Sequence, residues 1–267
     1  MSDFLNVFKQ LDDSVQKKRI TEPGIYENVK FAGCEFTEQE ADPEKKKNAY
    51  KCILLKFNIP DKDDPANMIE YDERVFAPAT VPEDVKFLAK KYQKGVEIGK
   101  NTPSEQIIKD HEAVAIFLLQ LIKALGKTYV AAQEQLTPFC NVPIENAFVS
   151  MGKGFVGLYA NGMPNNPIDM KIVYRNSDKH KTSQLTISTP ASNNVAFTQH
   201  IPGQKTKIVL SDYDIKCLVK KYTGVAAAPS SDESLLAYNV GASADGFSTP
   251  TEDSFSAEPN LANANLF

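Results

Sequence analysis

Three consecutive stretches with apolar residues at every second position constrain this chain more than any other feature. From Ile25, the side chains of Ile25, Val29 and Phe31 fall on one face, and those of Tyr26, Asn28, Lys30 and Phe36 on the other. Ala49 to Ile59 sets Ile53, Leu55, Phe57 and Ile59 against Tyr50, Cys52, Leu54 and Lys56, and Met68 to Phe76 supplies a third run. Alternation with a period of two marks a strand that buries one face. A polar loop, Glu38 to Asn48 with Lys45, Lys46 and Lys47, joins the first pair, and a turn rich in Asp and Pro, Asp61 to Asn67, joins the second. The expectation is an antiparallel meander of three strands.

Helical punctuation follows. Thr80 and Glu83 have capping-box spacing ahead of Val85, Phe87, Leu88 and Tyr92, and Gly95 is placed to end that helix. Thr102, Pro103 and Glu105 supply the cap, first-turn proline and N3 acid of a longer helix ending at Gly126, apolar on most of its surface from Val114 onward. Ahead of the meander, Phe4, Phe8, Leu11 and Val15 form the stripe of an amphipathic helix. Beyond Pro143, Phe155 to Tyr159, Ile168 to Arg175, Gln184 to Ser188, Val195 to His200 and Lys207 to Leu210 read as short strands. Ser211 and Asp214 then open a last helix, Tyr213 to Tyr222. The element order is that of an α+β or β-barrel chain, mainly β and antiparallel, with a helical insertion at about 80–126 between strands three and four.

Charge divides the chain in two. Residues 224–267 hold six acids and no Lys or Arg, which leaves 30 basic and 28 acidic residues in 1–223. The same segment takes 28 of its 44 residues from Ala, Ser, Gly, Pro, Asn and Thr, a composition too poor in apolar surface to offset ordering entropy. The reading is one ordered body, 1–223, and a disordered acidic tail, 224–267, ending on Leu266-Phe267.

Several function classes are excluded. The longest apolar run, Ala113 to Leu119, is far shorter than the roughly 20 residues of a membrane span, and Met1 to Arg19 lacks the apolar core of a secretory signal. Cys34, Cys52, Cys140 and Cys217 lie far apart with no CxxC pair, so neither a zinc site nor a disulfide framework is expected. No nucleophile elbow, nucleotide-binding loop or HExxH helix occurs. Gly152-Lys153-Gly154 reads as a hairpin turn and Asp61, Asp63 and Asp64 as a solvated turn. Glu70, Asp72 and Glu73 alternate across both faces of a strand, so they form no carboxylate pair for hydrolysis. A non-enzyme without cofactor or metal is expected.

The positive signal is the sharing of strands by aromatic and basic residues. Tyr26 and Lys30 fall on one face of the first strand and Tyr50 and Lys56 on one face of the second, while Arg74 lies in the third. Lys171, Tyr174 and Arg175 run into a loop with Lys179 and Lys181. Cations meet phosphates and flat rings stack on unpaired bases, a combination that single-stranded nucleic acid requires. These ten residues are the candidate nucleic-acid-binding set.

Meander, helical excursion and closing strands follow the chain order of an OB-fold, a Greek-key barrel that often binds oligonucleotides through loops after strands one and four. Here those loops carry Lys45 to Lys47 and Lys179 to Lys181. With the acidic tail and its terminal Phe267, the chain resembles bacteriophage replication single-stranded DNA-binding proteins. The resemblance implies sequence-independent protection of single strands in replication and recombination. It also implies recruitment of replication proteins such as a DNA polymerase through Glu252, Asp253, Glu258, Leu266 and Phe267. The expected compartment is the cytoplasm, that of the host cell for a phage protein, with no membrane partner and self-association left open. The competing expectation is a virion or assembly protein with a β-rich body.

Overall fold

The computed structural model describes residues 19–41, 49–94, 96–177, 181–188 and 195–222. They form an α+β fold, mainly antiparallel β, in which one strongly curled sheet makes a half-barrel backed by helices. The meander is β1 (Gly24–Gln39), β2 (Tyr50–Pro60) and β3 (Met68–Phe76). A separate two-stranded ribbon follows, β4 (Lys90–Gln93) and β5 (Val96–Lys100), and then three helices, α1 (Pro103–Ala124), α2 (Tyr129–Cys140) and α3 (Ile144–Ala160). The chain returns as β6 (Ile168–Ser177), β7 (Thr182–Ile187) and β8 (Phe197–Gln199) and closes with α4 (Asp212–Leu218). The sheet order is β3-β2-β1-β6-β7, with β8 also paired to β6.

The curl originates in β1, which changes partner along its length. Its first residues pair with β6, from Gly24 opposite Ile172 to Val29 opposite Ile168, and Lys30 to Gln39 pair with β2. Register shifts flank the changeover, between Tyr26 and Val29 and between Phe31 and Gly33. Asn28 takes φ 57 and Gly33 φ +155 at these points, and such bulges bend a strand and increase its twist. The far edges are then brought together and joined by side chains. Glu73 of β3 accepts from the Ile187 N–H at 2.8 Å, from Thr186 Oγ1 at 2.8 Å and from the Tyr71 hydroxyl at 2.6 Å. Burial raises the Glu73 carboxyl above its usual range, and those hydrogen bonds hold the rise back.

Side chains from the concave face of the sheet meet α1 and α3. Phe31 contacts Phe57 at 5.3 Å and Tyr159 at 5.1 Å, and Phe197 links Phe57 to Phe117 of α1. The apolar run of α1 is buried as its pattern predicts, with Val114, Leu118, Leu121, Ile122 and Leu125 inaccessible. Its capping box forms between Thr102 and Glu105. The capping box expected of Ser211 with Asp214 also forms, and α4 follows it.

Four expectations need correction. The predicted helix from Thr80 to Gly95 is a single 3-10 turn, Pro82–Asp84, followed by the β4–β5 ribbon. Val81 supplies no side-chain cap, and Lys94, at φ 49, follows a strand rather than a helix; Gly95, expected to end the helix, lies outside the described residues. Phe155 to Tyr159 is helical, and Gly152-Lys153-Gly154, read as a hairpin turn, lies mid-way along α3. The three glycines of α3 lower helix propensity, but a Cβ at Gly152 would lie 2.5 Å from the Phe36 ring and one at Gly154 2.3 Å from Phe139. Close packing against β1 and α2 is what these glycines permit. α2, capped by Thr128, was not anticipated. Lys207 to Leu210 forms no strand; the Val209 carbonyl instead receives a hydrogen bond from Lys171. The predicted helix at Phe4 to Val15 and the tail lie outside the described residues.

Candidate nucleic-acid interface

The outer face of β1, β2 and β3 holds several predicted contacts, but its charges are balanced. Lys30 and Arg74 are exposed there. Lys56 donates to Glu35, which raises the pKa of its ammonium, and it lies opposite Asp72 in the ladder. A phosphate on this face would compete with carboxylates already in place. Tyr50 is half-buried with its ring against Phe76, centroids 6.0 Å apart.

Two members of the predicted set belong to the interior. Tyr26 is 6% exposed, and its hydroxyl donates to the Glu22 carbonyl at 2.5 Å. The left-handed residue Asn28 and the register shift beside it break the alternation, so Tyr26 and Lys30 do not share a face. Burial, with Glu22 adding to it, pushes the Tyr26 pKa up to about 12. Lys171 is fully buried. Its ammonium donates to Asp214 Oδ2 at 2.8 Å, and that carboxylate also accepts from Ser211 N at 2.8 Å, Ser211 Oγ at 2.6 Å and Ser188 Oγ at 2.9 Å. Burial opposes the charge on Asp214, yet these hydrogen bonds outweigh it and hold the carboxyl below its ordinary value. Neither residue presents a base platform or a phosphate contact.

The remaining residues gather at the far end of the β6–β7 hairpin. Lys181 is exposed, with its ammonium 5.4 Å from the Tyr222 ring centroid. The Tyr222 N–H donates to Ser183 Oγ, which in turn donates to Asn176 Oδ1, so the segment after α4 is tied to both strands of the hairpin. Arg175 and Lys221 both lie close enough to Cys217 to oppose the rise that burial imposes on its thiol, and Arg175 bears on Tyr213 in the same way. Tyr174 is half-buried, with its hydroxyl on the Thr21 carbonyl at 3.1 Å. The structure thus brings Lys181 to Tyr222 and Arg175 to Tyr213, with Lys221 near Cys217; Tyr213, Lys221 and Tyr222 are outside the predicted set. A signal for them existed in Lys216, Lys220, Lys221 and Tyr222, crowded into the end of the chain's last apolar-periodic segment.

Lys179, the loop residues Lys45 to Lys47, and Glu252, Asp253, Glu258, Leu266 and Phe267 lie outside the described residues. Among the described residues no group of His, Cys, Asp and Glu could hold a metal ion, and no helix is long and apolar enough to cross a membrane. Comparison with protein-family models, with curated proteins and with solved structures finds no match.

Proposed function

We propose that this chain is a non-enzymatic protein that binds single-stranded DNA without sequence preference. It would protect transient single strands in replication and recombination, and recruit replication proteins through its acidic C-terminal segment. The observation that carries the reading is Lys181, exposed with its ammonium 5.4 Å from the Tyr222 ring centroid on a segment hydrogen-bonded to the β6–β7 hairpin, with Arg175 beside Tyr213. Cations within reach of aromatic rings are what a flexible strand needs, because phosphates and unstacked bases must be met together.

The architecture supports the same reading. A meander whose first strand also pairs with the fourth barrel strand, in the order β3-β2-β1-β6-β7, is compatible with an OB barrel carrying helices between its third and fourth strands. In that reading the seam between β3 and β7 is joined by Glu73. The loops that OB barrels commonly use are then the β1–β2 loop, with Lys45 to Lys47, and the β6–β7 loop, with Lys179 and Lys181. Of the second, Lys181 is described, and it stands over the Tyr222 ring.

Fluorescence anisotropy of labelled oligo-dT and of a matching duplex, titrated with the full chain at two salt concentrations, tests the proposal. Salt-sensitive binding that favours the single strand is the expected result. Absence of binding, also after removal of residues 224–267, would overturn it and return the assembly reading to the front.

A further inference from the structure

The β4–β5 ribbon takes no part in the cluster above. Lys90 to Lys100 holds Lys90, Lys91, Lys94 and Lys100 against Glu97 alone, four charges minus one, a formal +3 on a chain whose total is −4. Every residue of β5 is exposed, with Val96 at 65% and Ile98 at 59%. A two-stranded ribbon without a core is marginal by itself, and this one is anchored at its root. The buried Gln106 of α1 accepts from the Ala89 N–H at 2.8 Å and from Asn101 Nδ2 at 3.0 Å, and the Asn101 N–H donates to the Ala89 carbonyl. Lys91 pairs with Glu105 at 2.6 Å. The ribbon is therefore a projecting arm on a firm base.

Two features of the arm are unfavourable within the isolated chain. The ladder sets Lys90 directly opposite Lys100, and like charges across a sheet destabilise it. Glu97 offsets Lys90 at 3.0 Å, but among the described residues no carboxylate pairs with Lys94 or Lys100. Val96 and Ile98 meanwhile present apolar surface to water.

We infer that this arm is a second nucleic-acid contact, whose ligand is the groove of duplex DNA. A two-stranded ribbon fits the major groove of B-form DNA, about 12 Å wide, whereas the corresponding groove of duplex RNA is too deep and narrow to enter. Lys94 at the tip and Lys100 near the root meet phosphates on the groove walls, and Val96 and Ile98 meet the apolar edges of bases. The contact would place the protein where single strand and duplex join. The inference rests on the proposed nucleic-acid reading, and it assigns the duplex to the arm and the single strand to the Tyr222 cluster.

The test titrates full-length wild type, K94A/K100A and V96S/I98S against a blunt 20-base-pair duplex and against oligo-dT over a range of salt. Wild type is expected to bind both probes. K94A/K100A is expected to weaken duplex binding about tenfold and to reduce the duplex salt slope by about 1.8, two phosphates at roughly 0.9 each, with oligo-dT affinity kept within twofold. Equal loss on both probes, or no loss on the duplex, overturns the inference. Wild-type binding to oligo-dT but not to duplex overturns it too, and leaves the single-strand reading standing. Binding to neither probe overturns that reading itself. Sedimentation of the same proteins covers the remaining occupant: a dimer that V96S/I98S converts to monomer would assign the arm to a second copy of the chain.

Discussion

Asp214→Ala should separate the structural role of Lys171 from any role in binding. In the wild type the Lys171 ammonium sits at zero exposure between Asp214 Oδ2 at 2.8 Å and the Val209 carbonyl at 3.3 Å. The alanine removes the carboxylate that neutralises this buried charge, and stranding one member of a buried ion pair costs about 3–5 kcal/mol. It also removes the N3 half of the α4 capping box, worth about 1 kcal/mol. A loss of about 4–6 kcal/mol is a large part of the 5–15 kcal/mol by which domains are stable. At roughly 2–4 °C per kcal/mol for a domain of this size, the melting temperature should fall by about 10–20 °C. K171M/D214A removes the charge along with its partner and should recover all but the cap, since apolar substitutes for buried pairs are often neutral. Urea titrations of the four proteins in the cycle measure the coupling directly. A single variant within about 1 kcal/mol of wild type, or a double variant no more stable than the single, would refute the reasoning. The folded double variant should keep its oligo-dT affinity and salt slope, because Lys171 meets no phosphate.

Gly154→Ala and Gly157→Ala make the same change three residues apart in α3 with opposite expected signs. The first places a Cβ 2.3 Å from Cγ of Phe139 and should cost about 2 kcal/mol net of helix propensity, whereas the second meets nothing within 4 Å and should stabilise by roughly 0.5–1 kcal/mol; thermal melts that rank them in reverse would contradict the packing. Lys181→Ala should lower the oligo-dT salt slope by about 0.7, and Tyr222→Ala should weaken binding by about 1–3 kcal/mol at any salt; anisotropy across a salt series checks both. His111 is fully buried and donates from Nδ1 to the Ile107 carbonyl at 2.9 Å, and burial lowers its pKa from 6.5 against that hydrogen bond. The unfolded chain takes up a proton below about pH 6.5 that the folded imidazole resists, so this contribution is present above that pH and lost as pH falls, at up to about 1.4 kcal/mol per pH unit. His111→Leu should flatten stability between pH 7 and 5, as followed by urea midpoints.

Local signals were legible wherever neighbouring residues decide the outcome. Met68–Phe76 forms a strand with the bounds its alternation predicts, and the capping boxes at Thr102 and Ser211 open helices as their spacing requires. Period and caps act over one turn or one pleat, so a linear reading contains them. The candidate site was only partly legible for the complementary reason. Strand parity assigned Tyr26 to the face of Lys30, but one left-handed residue, Asn28, re-phases the strand between them. Lys221 and Tyr222 enter the site because a hydrogen bond from Tyr222 to Ser183 spans 39 residues, and Tyr213 because the helix that carries it is tied to β6 by Asp214 and Lys171.

By itself the sequence determined the meander, the long buried helix, and the separation of a near-neutral body from an acidic end. Each follows from composition or from contacts between residues a few positions apart. Only the tertiary structure decided which charges face water. Lys171 and Lys181 look alike on the page, but one is neutralised by a carboxylate 43 residues away and the other stands over an aromatic ring on the surface. It also decided that the glycines of α3 are helical, since the space that favours glycine there is set by Phe36 and Phe139. Burial and pairing belong to the assembled fold, because desolvation depends on what covers a group rather than on what precedes it in the chain.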